Sequence, residues 1–191
     1  MSKRVKWMIA ALACVVLFVG IYFLYDYLLK ENDADPFLNE ETSQQEDSSS
    51  QTVDSHKAPD FKVLDASGKE VRLSDYRGKP IVLNFWATWC YYCKEEMPDF
   101  NAAYRKHPDI QFMMVNVTDG YKETKENAEK YVEQEGFEFP VFYDTTLEAA
   151  STYGASGLPM TVFIDKNGDL VTYASGKLSA ENLEKGIERI Q

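Results

Sequence analysis

The chain from residue 58 onward alternates short apolar runs with longer stretches that have polar residues on one side. An apolar run bounded by polar residues is typical of a strand that is covered on both faces of a sheet. The clearest runs of this kind are PIVLNFW and IQFMMVNV, and further strands are predicted at FPVFYD and MTVFID. These runs predict a sheet whose central strands are buried.

Two polar turns interrupt the apolar pattern and predict hairpins. FKVLDASGKEVRLSDYRGK carries Ser67-Gly68 near its centre, and MTVFIDKNGDLVTYA carries Asn167-Gly168. Dipeptides of this type close tight turns between antiparallel strands. The sequence therefore predicts one hairpin at the start of this region and another close to its end.

The stretches with one polar face predict four helices. The first runs from Cys90 to about His107, and the second, YKETKENAEKYVEQEG, ends at Gly136. LEAASTYG is a short third helix, and SAENLEKGIERI is a fourth with Ser179 as its N-cap. This order predicts an α/β fold, with a mixed central sheet, helices on both faces and an N-terminal β-hairpin.

The first thirty residues have a different pattern. Lys3, Arg4 and Lys6 precede an uncharged run of 19 residues, 7–25. As a helix this run is about 28 Å long, close to the hydrocarbon thickness of a bilayer. We therefore predict one transmembrane helix, an uncleaved signal-anchor, within residues 1–30. Because the basic residues precede the span, the N-terminus should be cytoplasmic and the rest of the chain should lie outside the cell membrane.

Residues 31–57 are acidic and polar, with eight Asp or Glu residues and one lysine. Such a composition cannot bury enough apolar surface to offset chain entropy, so we predict a disordered tether. Residues 58–191 are enough for one domain with its own core. The net charge of -11 argues against nucleic acid as a partner, because phosphate binding requires a basic face.

Cys90 and Cys93 are the most informative residues for chemistry. They lie three residues apart, where an apolar strand ends and a helix begins. Residues at i and i+3 share one helix face, so the two sulfur atoms can reach bonding distance. The free N–H groups and the positive end of the helix dipole favour a thiolate at Cys90. We expect Cys90 to attack a substrate disulfide and the more buried Cys93 to resolve the mixed disulfide.

Three other uses of the pair stay open at this point. A structural disulfide across so short a loop removes little chain entropy, so it would stabilise the domain weakly. A zinc site needs about four ligands, and the soluble part offers two cysteines and two histidines, His56 and His107. Copper(I) is harder to dismiss, because two soft thiols can hold this ion. The position between a strand and a helix favours redox chemistry, without a metal or another cofactor.

Three segments, in this order along the chain, resemble one family. The segments are APDFKVLDASGKEVRLSDYRGKPIVLNFW, FWATWCYYCKEEMP and GLPMTVFID. They are similar to the membrane-anchored thiol–disulfide oxidoreductases of the TlpA-like (ResA-type) group, over essentially all of residues 58–191. The resemblance implies a thioredoxin-like fold and a protein disulfide reductase outside the cytoplasmic membrane. Many members of this group act in cytochrome c maturation or endospore formation.

The resemblance also implies roles for individual residues. Cys90 would be the nucleophile and Cys93 the resolving thiol. Pro159 matches the cis-proline of the family, which packs beside the disulfide and presents backbone to an extended substrate. Glu96 falls on the helix face of the pair, where the family has a buried acid that can relay protons because burial raises its pKa. Its neighbour Glu95 should face solvent.

Substrate contacts are expected around the pair and the proline. We predict them at Trp89, Tyr91 and Leu158, and we expect Trp86 and Trp89 to pack around the disulfide. The dipeptide Tyr91-Tyr92 stands between the cysteines without the proline that is common at the second position in relatives. This departure leaves the direction of electron flow open.

The leading hypothesis is an enzyme that reduces disulfides in exported proteins such as apocytochrome c, with a transmembrane thiol relay as its electron donor. The same residues could instead oxidise or isomerise disulfides. A thiol peroxidase is a further alternative, because APDF also occurs in peroxiredoxin-like chains, but Ala87 stands where a Thr-x-x-Cys arrangement needs threonine. A copper carrier is the alternative from another class, although such relatives space their cysteines one residue wider and add a downstream histidine.

Overall fold

The computed structural model describes residues 57–191 continuously, together with Leu17, Val19 and the backbone of Phe37–Leu38. Leu17 and Val19 are helical, and Phe37–Leu38 form strand β1. Apart from Leu17 and Val19, the predicted transmembrane helix at residues 7–25 lies outside the described residues, and so does most of the predicted tether. Among the residues that are described, no helix is both long enough and apolar enough to cross a bilayer.

Eight strands form one mixed sheet within the described part of the chain. The strands after β1 are β2 (Lys62–Leu64), β3 (Glu70–Arg72), β4 (Ile81–Trp86), β5 (Gln111–Asn116), β6 (Val141–Tyr143), β7 (Met160–Ile164) and β8 (Leu170–Ser175). Their spatial order is β1-β8-β7-β4-β5-β6-β2-β3. β5 is parallel to both β4 and β6, and the other neighbours are antiparallel. β4 therefore lies near the centre of the sheet, and all six of its residues are buried.

Helices cover both faces of this sheet, as the sequence predicts. The α-helices in residues 57–191 are α1 (Tyr91–Lys106), α2 (Lys125–Glu135), α3 (Glu148–Thr152) and α4 (Ala180–Glu188), and a short 3₁₀ helix spans Leu73–Tyr76. α1, α2 and α4 contribute buried residues to the core on one face, and α3 contributes to the core on the other. The mixed sheet between two layers confirms the predicted α/β architecture.

The side chains of β4 alternate between these two cores. Val82 and Trp86 belong to the core beneath α1 and α4, whereas Leu83 and Phe85 belong to the core beneath α3. Successive side chains of a strand point to opposite faces, so Asn84 falls on the face of Val82 and Trp86. A polar residue is thus placed in the layer that also holds the cysteine-bearing helix.

The helix ends agree with the sequence at two places and differ at a third. Ser179 caps α4, because its hydroxyl accepts a hydrogen bond from the backbone N–H three residues further on. Gly136, in the left-handed conformation, ends α2. The predicted start of this helix at Tyr121 is wrong. It begins at Lys125, with Thr124 as its N-cap.

Asp119 explains the later start of α2. Its Oδ1 accepts hydrogen bonds from the backbone N–H groups of Tyr121, Lys122 and Glu123, at 2.8, 2.7 and 2.9 Å. An aspartate that binds the backbone just ahead of it offers those N–H groups an alternative to the helix ladder. The turn that results positions Glu123 in the interior.

Candidate active site

Cys90 and Cys93 are joined by a disulfide, with their Cα atoms 5.3 Å apart. Cys90 is the N-cap of α1, and its Sγ accepts a hydrogen bond from the backbone N–H of Cys93 at 3.1 Å. The first N–H groups of a helix have no partner within the helix, and they carry the positive end of its dipole. The same N–H group would therefore stabilise a thiolate at Cys90 once the disulfide is reduced.

The two cysteines differ in access to solvent, as predicted. Cys90 is 5% exposed, whereas Cys93 is completely buried. The intervening Tyr91 and Tyr92 are exposed, with their rings in edge contact 5.5 Å apart. An incoming disulfide therefore meets Cys90 first.

Glu96 lies one helical turn beyond Cys93 and is completely buried. Its Oε1 accepts a hydrogen bond from Asn84 Nδ2 at 2.9 Å, and its Oε2 accepts one from the Leu178 N–H at 2.8 Å. Burial raises the pKa of Glu96 from 4.5 to about 7, although the hydrogen bonds from Leu178 and Asn84 act to lower it. Near neutral pH this carboxyl group can therefore take up or release a proton.

Glu95 points the other way, as expected for a neighbour on the helix. It is exposed and pairs with Lys177 Nζ at 3.5 Å. Residues one position apart on a helix do not share a face, so only Glu96 can lie under the cysteine pair. The predicted positions of both glutamates, Glu96 on the helix face of the cysteine pair and Glu95 facing solvent, are therefore confirmed.

The peptide bond between Leu158 and Pro159 is cis, as the GLP motif predicts. Pro159 is buried directly before β7, and Met160, the first residue of that strand, pairs with Phe85 of β4. This register places Pro159 at the end of β4 from which the chain continues to Cys90. Leu158 is half-buried and packs against both cores.

The two tryptophans before the cysteines have different environments. Trp86 is completely buried, with its ring 6.2 Å from that of Tyr131. Trp89 is 52% exposed, and Lys122 Nζ lies 5.2 Å from the centre of its ring. Trp89 is exposed because it follows the end of β4 and lies in the loop, and its packing around the disulfide stays a prediction. Trp89 and Tyr91 stay predicted substrate contacts on the exposed side of the disulfide.

Sequence reasoning missed Glu123. Its carboxyl group is completely buried, and its Oε2 accepts hydrogen bonds from the N–H and the hydroxyl of Thr88 at 2.9 and 2.7 Å. Its Oε1 accepts a third from Asn116 Nδ2 at 3.0 Å. Glu123 thus ties the loop that carries Trp89 and Cys90 to the end of β5. A glutamate in a highly polar stretch gives no sign of burial in the sequence.

His107 lies at the opposite end of α1 from the cysteine pair. It follows Cys93 by fourteen positions, which is about 21 Å along a helix. Its Nε2 is 3.0 Å from Glu184 Oε2. His107 therefore cannot join the two sulfurs as a third ligand. In the described part of the chain, no three His, Cys, Asp or Glu residues are grouped so that they could hold a metal ion.

The chain is similar to known redox proteins in sequence. Residues 55–173 match the AhpC/TSA family. Thiol-disulfide oxidoreductase ResA from Geobacillus kaustophilus (strain HTA426) is 40% identical over 136 residues, which cover 70% of this chain and 76% of the relative. The protein of the same name from Bacillus subtilis (strain 168) is 36% identical over 124 residues, which cover 64% of this chain and 67% of the relative.

Solved structures agree with this assignment. A Chlorobium tepidum protein described as thiol:disulfide interchange protein DsbE has a TM-score of 0.62 and 32% identity, and the match covers 70% of this chain and 94% of that one. The exposed lipoprotein thioredoxin Etrx1 from Streptococcus pneumoniae strain TIGR4 has a TM-score of 0.61 and 28% identity, covering 68% and 98%. With a disulfide at the start of α1 and a cis-proline directly before β7, the chain belongs to the AhpC/TSA family and is a ResA-type thiol–disulfide oxidoreductase of the thioredoxin superfamily.

Proposed function

We propose that this oxidoreductase reduces disulfides in exported proteins, and that a span at residues 7–25 holds residues 58–191 on the outer face of the cell membrane. Apocytochrome c is the proposed substrate, and a transmembrane thiol relay is the proposed electron donor. The observation that carries the reductive direction is the buried carboxyl group of Glu96, one turn beyond Cys93.

The reductive direction depends on how well the reduced cysteine pair is stabilised. A strong oxidant stabilises its own reduced form, and a stable thiolate is one way to do so. Here Glu96 opposes a negative charge on Cys93 whenever its own carboxyl group is ionised. The ammonium group of Lys94, the next residue after Cys93, lies over the Tyr131 ring, with its Nζ 5.0 Å from the ring centre. Because Glu96 disfavours a thiolate at Cys93, we expect a low reduction potential for the cysteine pair.

The positions of the two cysteines define the exchange steps. The Cys90 thiolate attacks one substrate sulfur, forms a mixed disulfide and releases the other substrate sulfur as a thiolate, which takes up a proton. Cys93 then gives its proton to Glu96 and attacks Cys90 Sγ, which expels the second substrate thiolate and closes the disulfide. That thiolate takes the proton back from Glu96. Two electrons have passed to the substrate, and a dithiol of the membrane relay returns them.

The surface beside Cys90 suits an unfolded polypeptide as substrate. Trp89 and Tyr91 expose aromatic rings next to the attacking cysteine, and Leu158 precedes the cis-proline on the neighbouring strand. Aromatic side chains supply contact area without requiring one particular partner sequence. A Cys-x-x-Cys-His segment of apocytochrome c, before haem attachment, is a substrate of this kind.

The reduction potential tests the direction of electron flow. We would equilibrate the full-length protein with glutathione or dithiothreitol buffers and measure the fraction of the Cys90–Cys93 disulfide. A potential near about -270 mV or lower is expected for a reductant. A potential near about -120 mV would identify a strong oxidant and overturn the proposal.

A labelling experiment tests the location. In the Cys93→Ser variant the Cys90 thiol has no intramolecular partner, so a membrane-impermeant maleimide should label it in intact cells. Cys14, within the predicted span, should not react. Labelling of Cys90 only after lysis would place the domain in the cytoplasm.

A further inference from the structure

Asn84 is a polar residue in the middle of the central strand. It is completely buried on the same face of β4 as Val82 and Trp86, opposite Thr161 of β7. The other five residues of the strand are apolar. A buried amide costs stability unless its polar atoms are hydrogen-bonded, so the reason for this residue lies in its partners.

The amide group of Asn84 bridges Glu96 and Thr161. Its Nδ2 donates to Glu96 Oε1 at 2.9 Å and to Thr161 Oγ1 at 3.0 Å, which uses both N–H groups of the amide. Its Oδ1 is buried and has no hydrogen-bond partner among the described residues. An unpaired buried oxygen lowers stability, so fold stability alone would favour an apolar residue here.

Thr161 determines which atom of the amide faces Glu96. It is completely buried, and it follows Pro159 by two residues at the start of β7. Because its hydroxyl oxygen accepts one N–H of the Asn84 amide, the same nitrogen stays directed at the Glu96 carboxyl group. The bridge therefore runs from the strand behind the cis-proline to the acid beside the cysteine pair.

We propose that Asn84 is a positioning residue, which holds the Glu96 carboxyl group in the orientation and charge state that proton transfer from Cys93 requires, with Thr161 fixing the amide. The proposal rests on the proposed role of Glu96 as proton acceptor. Asn84 touches neither cysteine nor substrate in this scheme, and it acts through Glu96.

The charged groups that act on Glu96 come from two elements. α1 contributes Asp99, which raises the pKa of Glu96, and the segment before α4 contributes Lys177, which lowers it. β4 and β7 contribute the neutral side chains of Asn84 and Thr161. A donor to a carboxylate favours its ionised form, so removal of the Asn84 amide should make Glu96 hold its proton more tightly.

The test follows the release of a mixed disulfide in the reduced full-length protein. Cys90 is first coupled to 5-thio-2-nitrobenzoate, and the coloured anion that Cys93 releases is timed at each pH. The variants are Asn84→Leu, Thr161→Val and Glu96→Gln. Thr172→Val is the matched control, because Thr172 is a buried threonine of the neighbouring strand β8 whose hydroxyl has no partner in the described residues.

We expect Asn84→Leu to move the pH midpoint of the release rate upward by about one unit, which slows release about fivefold at pH 7. Thr161→Val should move the midpoint in the same direction by less. Thr172→Val should leave it unchanged. Glu96→Gln should remove the part of the pH–rate profile that reports the ionisation of Glu96.

Two results separate this proposal from the one on which it rests. A normal midpoint in Asn84→Leu and Thr161→Val, with an altered profile in Glu96→Gln, would overturn the role of Asn84 alone. A wild-type profile in Glu96→Gln would overturn the proton-acceptor role itself. Lower thermal stability of Asn84→Leu with an unchanged midpoint would assign Asn84 to the fold only. If Asn84→Leu does not fold, the pH midpoints of Thr161→Val and Thr172→Val are compared instead. Equal midpoints in these two variants would overturn the role of Asn84.

Discussion

Glu96 and Glu123 are both completely buried; Glu96 lies within α1, whereas Glu123 directly precedes the N-cap of α2. Glu123 accepts three hydrogen bonds, two of them from Thr88 in that loop. Glu96 accepts two, one from the side-chain amide of Asn84 and one from a backbone N–H, and burial raises its pKa to about 7. Glu123 holds the loop in place, whereas Glu96 can exchange a proton near neutral pH.

The difference shows that burial alone does not identify a proton-transfer group. Desolvation destabilises the charged form of a carboxyl group, and hydrogen-bond donors compensate for part of that loss. At Glu96 the compensation is incomplete, because desolvation is the largest influence on its pKa. The position one turn beyond Cys93 assigns Glu96, and not Glu123, to the proposed proton transfer.

The largest effect on turnover should come from the cysteines, because their sulfur atoms carry out the exchange. The cysteine variants also test the role of Glu96, which requires that its proton comes from Cys93. Cys90→Ser should abolish turnover, since the attacking sulfur is lost. Cys93→Ser should trap a mixed disulfide through Cys90, visible as a mass increase that dithiothreitol reverses. Trapping by Cys90→Ser instead would reverse the assignment and separate Glu96 from the resolving step.

The next effect concerns Glu123 and the fold. Glu123→Ala leaves one buried donor, Asn116 Nδ2, and two partly buried donors of Thr88 without partners, so the free energy of unfolding should fall by roughly 3–5 kcal/mol. Urea denaturation measures this loss. The matched control is Glu133→Ala, an exposed glutamate in the last turn of α2, which should change stability by about 0.5 kcal/mol or less. Equal losses in the two variants would mean that Glu123 does not clamp the loop.

A smaller effect should appear in the pH dependence of stability of the oxidised protein. The folded-state pKa of Glu96 is about 7 and its ordinary value is 4.5, so the folded protein binds this proton more tightly. Its contribution is present in full below pH about 4.5 and is lost as the pH rises to about 7, with a decrease of about 3 kcal/mol in the free energy of unfolding.

Glu96→Gln should lack this decrease, and denaturant titrations at several pH values would show it. Glu95→Gln is the matched control, since Glu95 is the exposed neighbour and should keep the wild-type pH dependence. The assignment of the raised pKa to Glu96 fails if the Glu96→Gln curve parallels that of wild type.

The smallest effect should come from Lys177. Its charge lowers the pKa of Glu96, but its ammonium group is partly exposed and also pairs with Glu95. Lys177→Met should therefore raise the pKa of Glu96 by a few tenths of a unit, less at high salt. The surface pair Lys185–Glu181 on α4 provides the control Lys185→Met, which should produce no shift. A shift in the opposite direction would contradict the electrostatic argument.

Local patterns predicted much of the fold correctly, because caps and turns depend on residues close together in the chain. Ser179 caps α4, Gly136 ends α2 and the turn at Asn167-Gly168 joins β7 to β8, as expected. The start of α2 was predicted too early, because the hydrogen bonds of Asp119 compete with a helix that propensity alone would extend.

The candidate site residues fall into two groups, according to how the sequence predicted them. The spacing of Cys90 and Cys93 predicted the cysteine pair. The resemblance to a family predicted the cis form of Pro159 and the burial of Glu96. Only the structure separated the two tryptophans: Trp86 ends the buried strand β4, whereas Trp89 lies in the loop that follows and is exposed.

The sequence by itself determined the redox pair and the order of strands and helices, since both are recorded in neighbouring residues. Only the tertiary structure decided the environment of that pair. The bonds from Asn84 to Thr161 and from Leu178 to Glu96 join residues 77 and 82 positions apart, and Glu123 reaches Thr88 across 35. Such contacts exist only because the sheet and its helices bring distant segments together, and they form the surroundings of both buried carboxyl groups.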